Sequence, residues 1–274
     1  MLICMVMACL LLPALTQAQS PANNARSPIR KADSLFRLGQ WDAAHREYEG
    51  ILQANPPATL KPVLYSRLAK VYAMKNQPQR TMEYMQRAVD SGYVNLRELD
   101  TAREFAAIRS MPAFSKISER AILNAFPCKG DAHKRQFDFW VGEWDVYVTG
   151  TNNLAGHSLI QKASGDCMIL ENWTSLGPVP HNGKSMNYVN PQTKKWEQLW
   201  IGSGGGGVPT RFYNGEYRDS VMQFVFEVNN AQGKQIGRFR FFNQGPDQVR
   251  QWSETSADGG KTWTTNYDFT YKRK

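Results

Sequence analysis

Carboxylates able to move a proton are best sought beside apolar side chains, because a dry setting lifts their pKa. Glu171 alternates with Ile169 and Trp173 in "GDCMILENW", and Glu254 alternates with Trp252 and Arg250 in "VRQWSETS". Either glutamate, on an inward strand face, would serve as general acid or base on a bound molecule. An interior Arg250 would need a carboxylate partner, and these two glutamates are the candidates. A third alternating run, Trp196, Gln198 and Trp200 in "KKWEQLW", offers indole faces and an amide. These residues describe a pocket that stacks a flat or greasy molecule on Trp173, Trp196, Trp200 and Trp252, with Gln198 and Arg250 at its polar end. A filled core with one structural ion pair would use the same residues.

Other chemistry finds less support. His45, His133, His157 and His181 stand apart, and none pairs with cysteine or acid at metal-ligand spacing, so no metal site is expected. No cofactor is expected either; the alternative is haem, on His157 or His181. "GSGGGGV" (202–208) satisfies G-x-G-x-x-G through Gly202, Gly204 and Gly207, but Val208-Pro209 and a strand-like segment follow where a dinucleotide site needs a helix. It reads as a hairpin at a barrel mouth. Gly183-Lys184-Ser185 lacks a glycine at phosphate-loop spacing and reads as a turn into a strand.

The surrounding chain has 274 residues, 42% hydrophobic and 12% aromatic, enough for two domains with real cores. Its first twenty residues carry no charge, and Thr16-Gln17-Ala18 fits a signal cleavage site, so residues 1–18 read as an export signal. An uncleaved membrane anchor is the rival. Export to a periplasmic or secreted setting favours a disulfide between Cys128 and Cys167, against two independent thiols. The net charge of +9 is spread without a dense block. It suits a generic soluble surface first, and anionic envelope components better than nucleic acid, which an exported protein seldom meets; no nucleic-acid partner is expected.

Two periods divide the chain. From residue 30 to 126, after a linker at 19–29, apolar residues recur every three or four positions, with corners at Gly39 and at Asn76-Gln77-Pro78 and a stop at Asn55-Pro56. Further helices are predicted from Asn95 and from Met111. From 127 to 274 the period is two, with turn residues every eight to twelve positions. Strands are predicted near 138–149, 155–164, 166–175, 183–190, 195–202, 209–217, 220–228, 235–243, 247–256 and 262–272. About ten sequential strands with tight turns predict an antiparallel up-and-down barrel, which removes exposed edges; a sandwich is the alternative. The fold class expected is α+β in two domains.

Resemblances add to this. Ala32, Leu35, Gly39, Trp41, Ala44, Tyr48 and Pro56, and again Leu68, Ala69, Tyr72, Met85 and Ala88, resemble tetratricopeptide repeats, with Asn76 in place of the second glycine and Lys31 at a usually apolar position. That implies a surface for a protein partner, or a helical brace. Gly142-x-Trp144 in "FDFWVGEWDVYV" resembles the first-strand signature of lipocalins, where the indole plugs the closed end. With "GHSLI", "GKSMNYVNPQTKKWEQLW" and "VRQWSETSADGGKTW", residues 130–274 look like a bacterial exported lipocalin-like family without an assigned reaction. "SADGGKTW" resembles the Asp-box of sialidase propellers, but occurs once, so Asp258 and Trp263 are expected to staple a hairpin. The functional expectation is a barrel that binds a small apolar or aromatic molecule. The alternatives are an enzyme using Glu171 or Glu254, and an interaction module with a filled barrel.

Overall fold

The computed structural model describes residues 21–178, 181–230 and 233–274; the expected signal at 1–18 lies outside them. The chain divides into two compact units, 1–125 and 126–274.

In the first unit, Pro21–Arg37 (α1) pairs with Trp41–Gln53 (α2), and Lys61–Met74 (α3) with Pro78–Asp90 (α4). Helix α1 begins inside the stretch expected as a linker, with Pro21 in its first turn, where a missing N–H costs nothing. Both hairpins turn the same corner. Gly39 N donates to Phe36 O and Gln40 N to Leu35 O, each at 3.0 Å; Asn76 N donates to Ala73 O and Gln77 N to Tyr72 O, each at 3.0 Å. The corner residue is left-handed in both, at φ +76° for Gly39 and +60° for Asn76. Asparagine tolerates that region, which is why it can replace glycine. Leu96–Thr101 (α5) is capped by Asn95, whose Oδ1 accepts from Glu98 N at 3.1 Å; Ala106–Arg109 (α6) and Phe114–Ala125 (α7) follow. Ala32, Ala44, Tyr48, Leu64, Leu68, Met85 and Ala88 are fully buried in one core.

The second unit is a closed barrel of ten antiparallel strands. They are Gly142–Val148 (β1), Leu154–Ala163 (β2), Met168–Ser175 (β3), Asn182–Val189 (β4), Trp196–Gly202 (β5), Thr210–Arg218 (β6), Val221–Asn230 (β7), Gly233–Asn243 (β8), Gln248–Ser256 (β9) and Thr264–Arg273 (β10). Each strand pairs with its sequence neighbour, and β1 closes on β10 through Trp144 opposite Arg273 and Val146 opposite Tyr271. Closure leaves no unpaired edge.

The expected strand from 138 is shorter than predicted. Asp138–Trp140 forms one turn of 3-10 helix, and β1 starts at Gly142. Gly142 has φ +154°, and a Cβ there would lie 2.1 Å from Arg273 Nη1. Arg273 uses that space: Nη1 and Nη2 donate to Val141 O at 3.3 Å, and its guanidinium lies 4.2 Å from the Trp144 ring. The turn instead aims Phe137 and Trp140 into the barrel's closed end. There they are fully buried with Trp144, Trp196, Phe224 and Phe241, ring centroids 4.7–6.2 Å apart in the contacting pairs. Cys128 and Cys167 are disulfide-bonded, Cα atoms 5.0 Å apart, tying this plug to the β2–β3 hairpin. Arg135 adds Nη1 to Asp166 Oδ2 at 3.2 Å, and Lys162 reaches Asp138 at 2.6 Å. Closing a loop across a separation of 39 residues stabilises the fold by about 4 kcal/mol through denatured-state entropy.

The expected staple at the β9–β10 turn is formed as the sequence suggests. Asp258 accepts from Thr262 N and Oγ1, Lys261 N and Ser256 Oγ at 2.6–3.0 Å, and the Thr262 contacts above all hold its carboxyl well below the usual range. Trp263 Nε1 donates to Gly260 O at 3.0 Å.

Candidate functional site

The barrel's interior opens toward the β1–β2 and β3–β4 hairpins as a cavity of about 710 Å³. The rings in its wall lie against neighbouring strands instead of crossing the lumen. Trp173 pairs across from Ser158 and lies over the diagonal neighbour Gly156, where an added Cβ would meet the indole at 2.6 Å. Trp200 pairs across from Ser185 and lies over Gly183, where a Cβ would meet the indole at 2.3 Å. Diagonal positions on one sheet face are within reach of long aromatic side chains. Glycine there gives each indole a flat seat and leaves the middle open. Phe269 is stacked between Trp173, at 6.1 Å, and Tyr267, at 5.2 Å, and Phe212 and Phe239 complete the aromatic lining.

The one carboxyl in the cavity lining, among the described residues, is Glu171 on β3, 3% exposed. Inward residues of β2, β4 and, across the barrel, β10 surround it. Ser158 Oγ donates to Oε1 at 2.9 Å, Ser185 Oγ to Oε2 at 2.8 Å, and Tyr271 OH approaches Oε1 at 3.5 Å. A relay continues sideways: Asn187 Nδ2 donates to Ser185 Oγ at 3.0 Å, and Gln198 Nε2 to Asn187 Oδ1 at 2.7 Å. Burial pushes the Glu171 carboxyl up to about 7, against the downward pull of the Ser185, Ser158 and Tyr271 hydroxyls. The phenols of Tyr267 and Tyr271 are raised, first by burial and then by Glu171 itself. Among the described residues, no Lys or Arg lines the cavity.

Of the residues singled out in the sequence, the cavity brings together Glu171, Trp173, Gln198 and Trp200. Trp196 faces inward but belongs to the closed-end plug, with Nε1 donating to Gln136 Oε1 at 3.3 Å. Arg250, Trp252 and Glu254 are a correction: β9 turns Val249, Gln251 and Ser253 inward and presents these three outward. Arg250 pairs with Asp268 through Nε at 2.9 Å and Nη2 at 2.5 Å, and with neither expected glutamate. Trp252 is covered outside the barrel by cation–π contact with the guanidinium groups of Arg240 at 4.3 Å and Arg250 at 4.6 Å. Glu254 is roofed by the same layer, accepting from Arg238 Nε at 2.6 Å and from Arg240.

His157 also points outward, its Nδ1 2.7 Å from Asp145 Oδ1, so it does not reach the cavity. His181 stands at the rim, edge-on to Trp200 at 6.1 Å. Among the described residues no three His, Cys, Asp or Glu side chains converge as a metal site.

The site residues that sequence reasoning missed are Ser158, Ser185, Asn187, Tyr267, Phe269 and Tyr271. The last three alternate along β10, a period-two signal that was readable. The serines carry no signal of their own; only the strand register places them against Glu171.

Fold and cavity define a hollow, closed antiparallel barrel, compatible with the lipocalin-like class. No protein-family model matches the chain, and comparison with characterised proteins returns no significant match.

Proposed function

We propose that the barrel is a binding module for a small amphiphilic molecule, with an apolar or aromatic body against Trp173, Trp200 and Phe269 and a polar end at Glu171. The observation that carries this reading is the open cavity of about 710 Å³, largely aromatic in its walls, with a buried carboxyl and two amides inside and Asn153, Ser175 and His181 at its mouth. That size lies within the roughly 300–1,000 Å³ of ordinary small-molecule pockets. An open cavity speaks against the filled-barrel alternative. The chain is read as exported, on its charge-free opening stretch and the Cys128–Cys167 bridge. Among the described residues no helix is long and apolar enough to cross a membrane. The helical hairpins, which resemble tetratricopeptide repeats, are assigned to docking a protein partner or bracing. The net charge of +9 favours contact with anionic envelope components.

One observation favours a second reading. A buried carboxyl poised at about 7 beside an apolar cavity is suited to general acid–base catalysis on the bound molecule.

Fluorescence and native mass spectrometry test the first reading. Adding dodecanol is expected to change the emission of Trp173 and Trp200 saturably and to give a one-to-one adduct. No adduct and unchanged emission, with dodecylamine and dodecanoate equally inert, would overturn it. Turnover of a bound compound that disappears in Glu171→Gln while binding persists would favour the second.

A further inference from the structure

The interior has an electrostatic asymmetry that narrows the ligand. Its one carboxyl is met by hydroxyl groups from β2, β4 and β10: Ser158, Ser185 and Tyr271. Its titratable neighbours are the phenols of Tyr271 and Tyr267, both held neutral. No guanidinium or ammonium lines the cavity among the described residues, although the chain as a whole carries +9. A buried ionised carboxylate without a cation is costly, and hydroxyl donors offset only part of that cost. Above this carboxyl the wall is lined by the rings of Trp173, Trp200, Tyr267 and Phe269, aromatic groups of the kind that attract positive charge. Acceptor oxygens and ring faces both suit a cation. A carboxylate ligand would bring a second negative charge beside an ionised Glu171, and among the described residues the lining offers no Lys or Arg to neutralise either, only the rim imidazole of His181.

We propose that the cavity takes a hydrophobic amine, its protonated nitrogen donating to Glu171 while its apolar body lies along the indoles. This rests on the reading of the barrel as a ligand-binding module. The ammonium supplies the cation that Glu171 lacks, Ser158 and Ser185 keep the carboxylate oriented, and Gln198 and Gln251 border the polar zone. Fatty-acid-like anions are rejected by the same geometry.

Proton linkage gives a signature. Amine binding selects ionised Glu171, so below its pKa of about 7 each binding event releases a proton. The amine's affinity should then rise about tenfold between pH 6 and pH 8.

The test is calorimetric titration of the intact chain with dodecylamine, dodecanol and dodecanoate, matched in tail and different in head, at pH 6 and pH 8. The amine is expected to bind best at pH 8, with near-unit proton release at pH 6 shown by repeating the titration in buffers of different ionisation enthalpy. Glu171→Gln should cost the amine about tenfold to a hundredfold in affinity, as for a lost hydrogen bond between charged groups. It should also abolish the pH dependence and collapse the amine-to-alcohol preference. Dodecanol binding to the variant reports that the cavity is still folded. If dodecanol or dodecanoate binds as well as the amine to the wild-type chain, the amine proposal fails while the ligand-binding reading stands. If none of the three binds, both fail.

Discussion

Glu171 and Glu254 are each 3% exposed, sit on strands of one barrel, and have opposite surroundings. Glu254, on the outer face, is gripped by Arg238 and Arg240 beneath a layer completed by Trp252 and Trp263. Glu197, also 3% exposed and on the outer face, accepts from Arg211, Tyr188 and Asn190, and its carboxyl is held down by these donors despite its burial. Glu171, on the inner face, has hydroxyl groups and, among the described residues, no Lys or Arg partner. The outer carboxylates are complete and serve the sheet. The inner one is left with unmet demand, at the end of a cavity large enough for something to meet it.

The largest expected effect breaks that comparison at Glu171. Its folded carboxyl holds a proton more tightly than the unfolded one, so between about 4.5 and 7 the native state carries more protons and loses stability as pH rises. Glu171→Gln removes the ionisation, and at pH 8 the variant should be more stable than wild type by about 3 kcal/mol, a difference that fades toward pH 5. Denaturant unfolding at the two pH values checks this. A variant less stable at pH 8 would mean that Glu171 is already satisfied as an anion.

The same change on the outer face should do the reverse. Glu254→Gln leaves two guanidinium groups without their carboxylate, and because their side chains are 28% and 16% exposed the cost should be about 2 kcal/mol, below that of a fully buried pair. Denaturant unfolding of this variant checks it, and an unchanged stability would contradict the view of Glu254 as held by Arg238 and Arg240.

Tryptophans sharpen the contrast at the level of binding. Trp200→Ala should weaken ligand binding about tenfold, or 1.4 kcal/mol, while Trp252→Ala should leave it unchanged. Equal losses in both would show that the cavity is not where the ligand sits. The smallest effect belongs to Glu197→Gln. Its partner Arg211 is 61% exposed, and solvent screening limits the loss to about 0.5–1 kcal/mol in the same unfolding assay.

The architecture was largely legible because period and turns are local signals. The ten strands fall close to their predicted ranges, and the failure at 138–141 came from an apolar run that serves as a plug in a turn, not as a strand. The disulfide followed from cysteine number together with the expectation of export. The site was half legible. Alternation found Glu171, Trp173, Gln198 and Trp200 on shared faces, but not which face of β9 turns inward. Trp252 looked like an interior residue because it is large and apolar. Its burial is supplied instead by guanidinium groups from two strands, a long-range arrangement that no short stretch encodes. The seats at Gly156 and Gly183 were equally hidden, since a glycine beneath an indole is visible only once the register is known.

The most direct measurement is the pH titration of the Glu171 carboxyl carbon by NMR, with the free protein and with saturating dodecylamine. The free protein should titrate with a midpoint of about 7, and the amine should move that midpoint down. A free-protein midpoint in the ordinary carboxylate range of about 4, or one that the amine leaves in place, would contradict the picture of an unpaired interior carboxyl awaiting a cation.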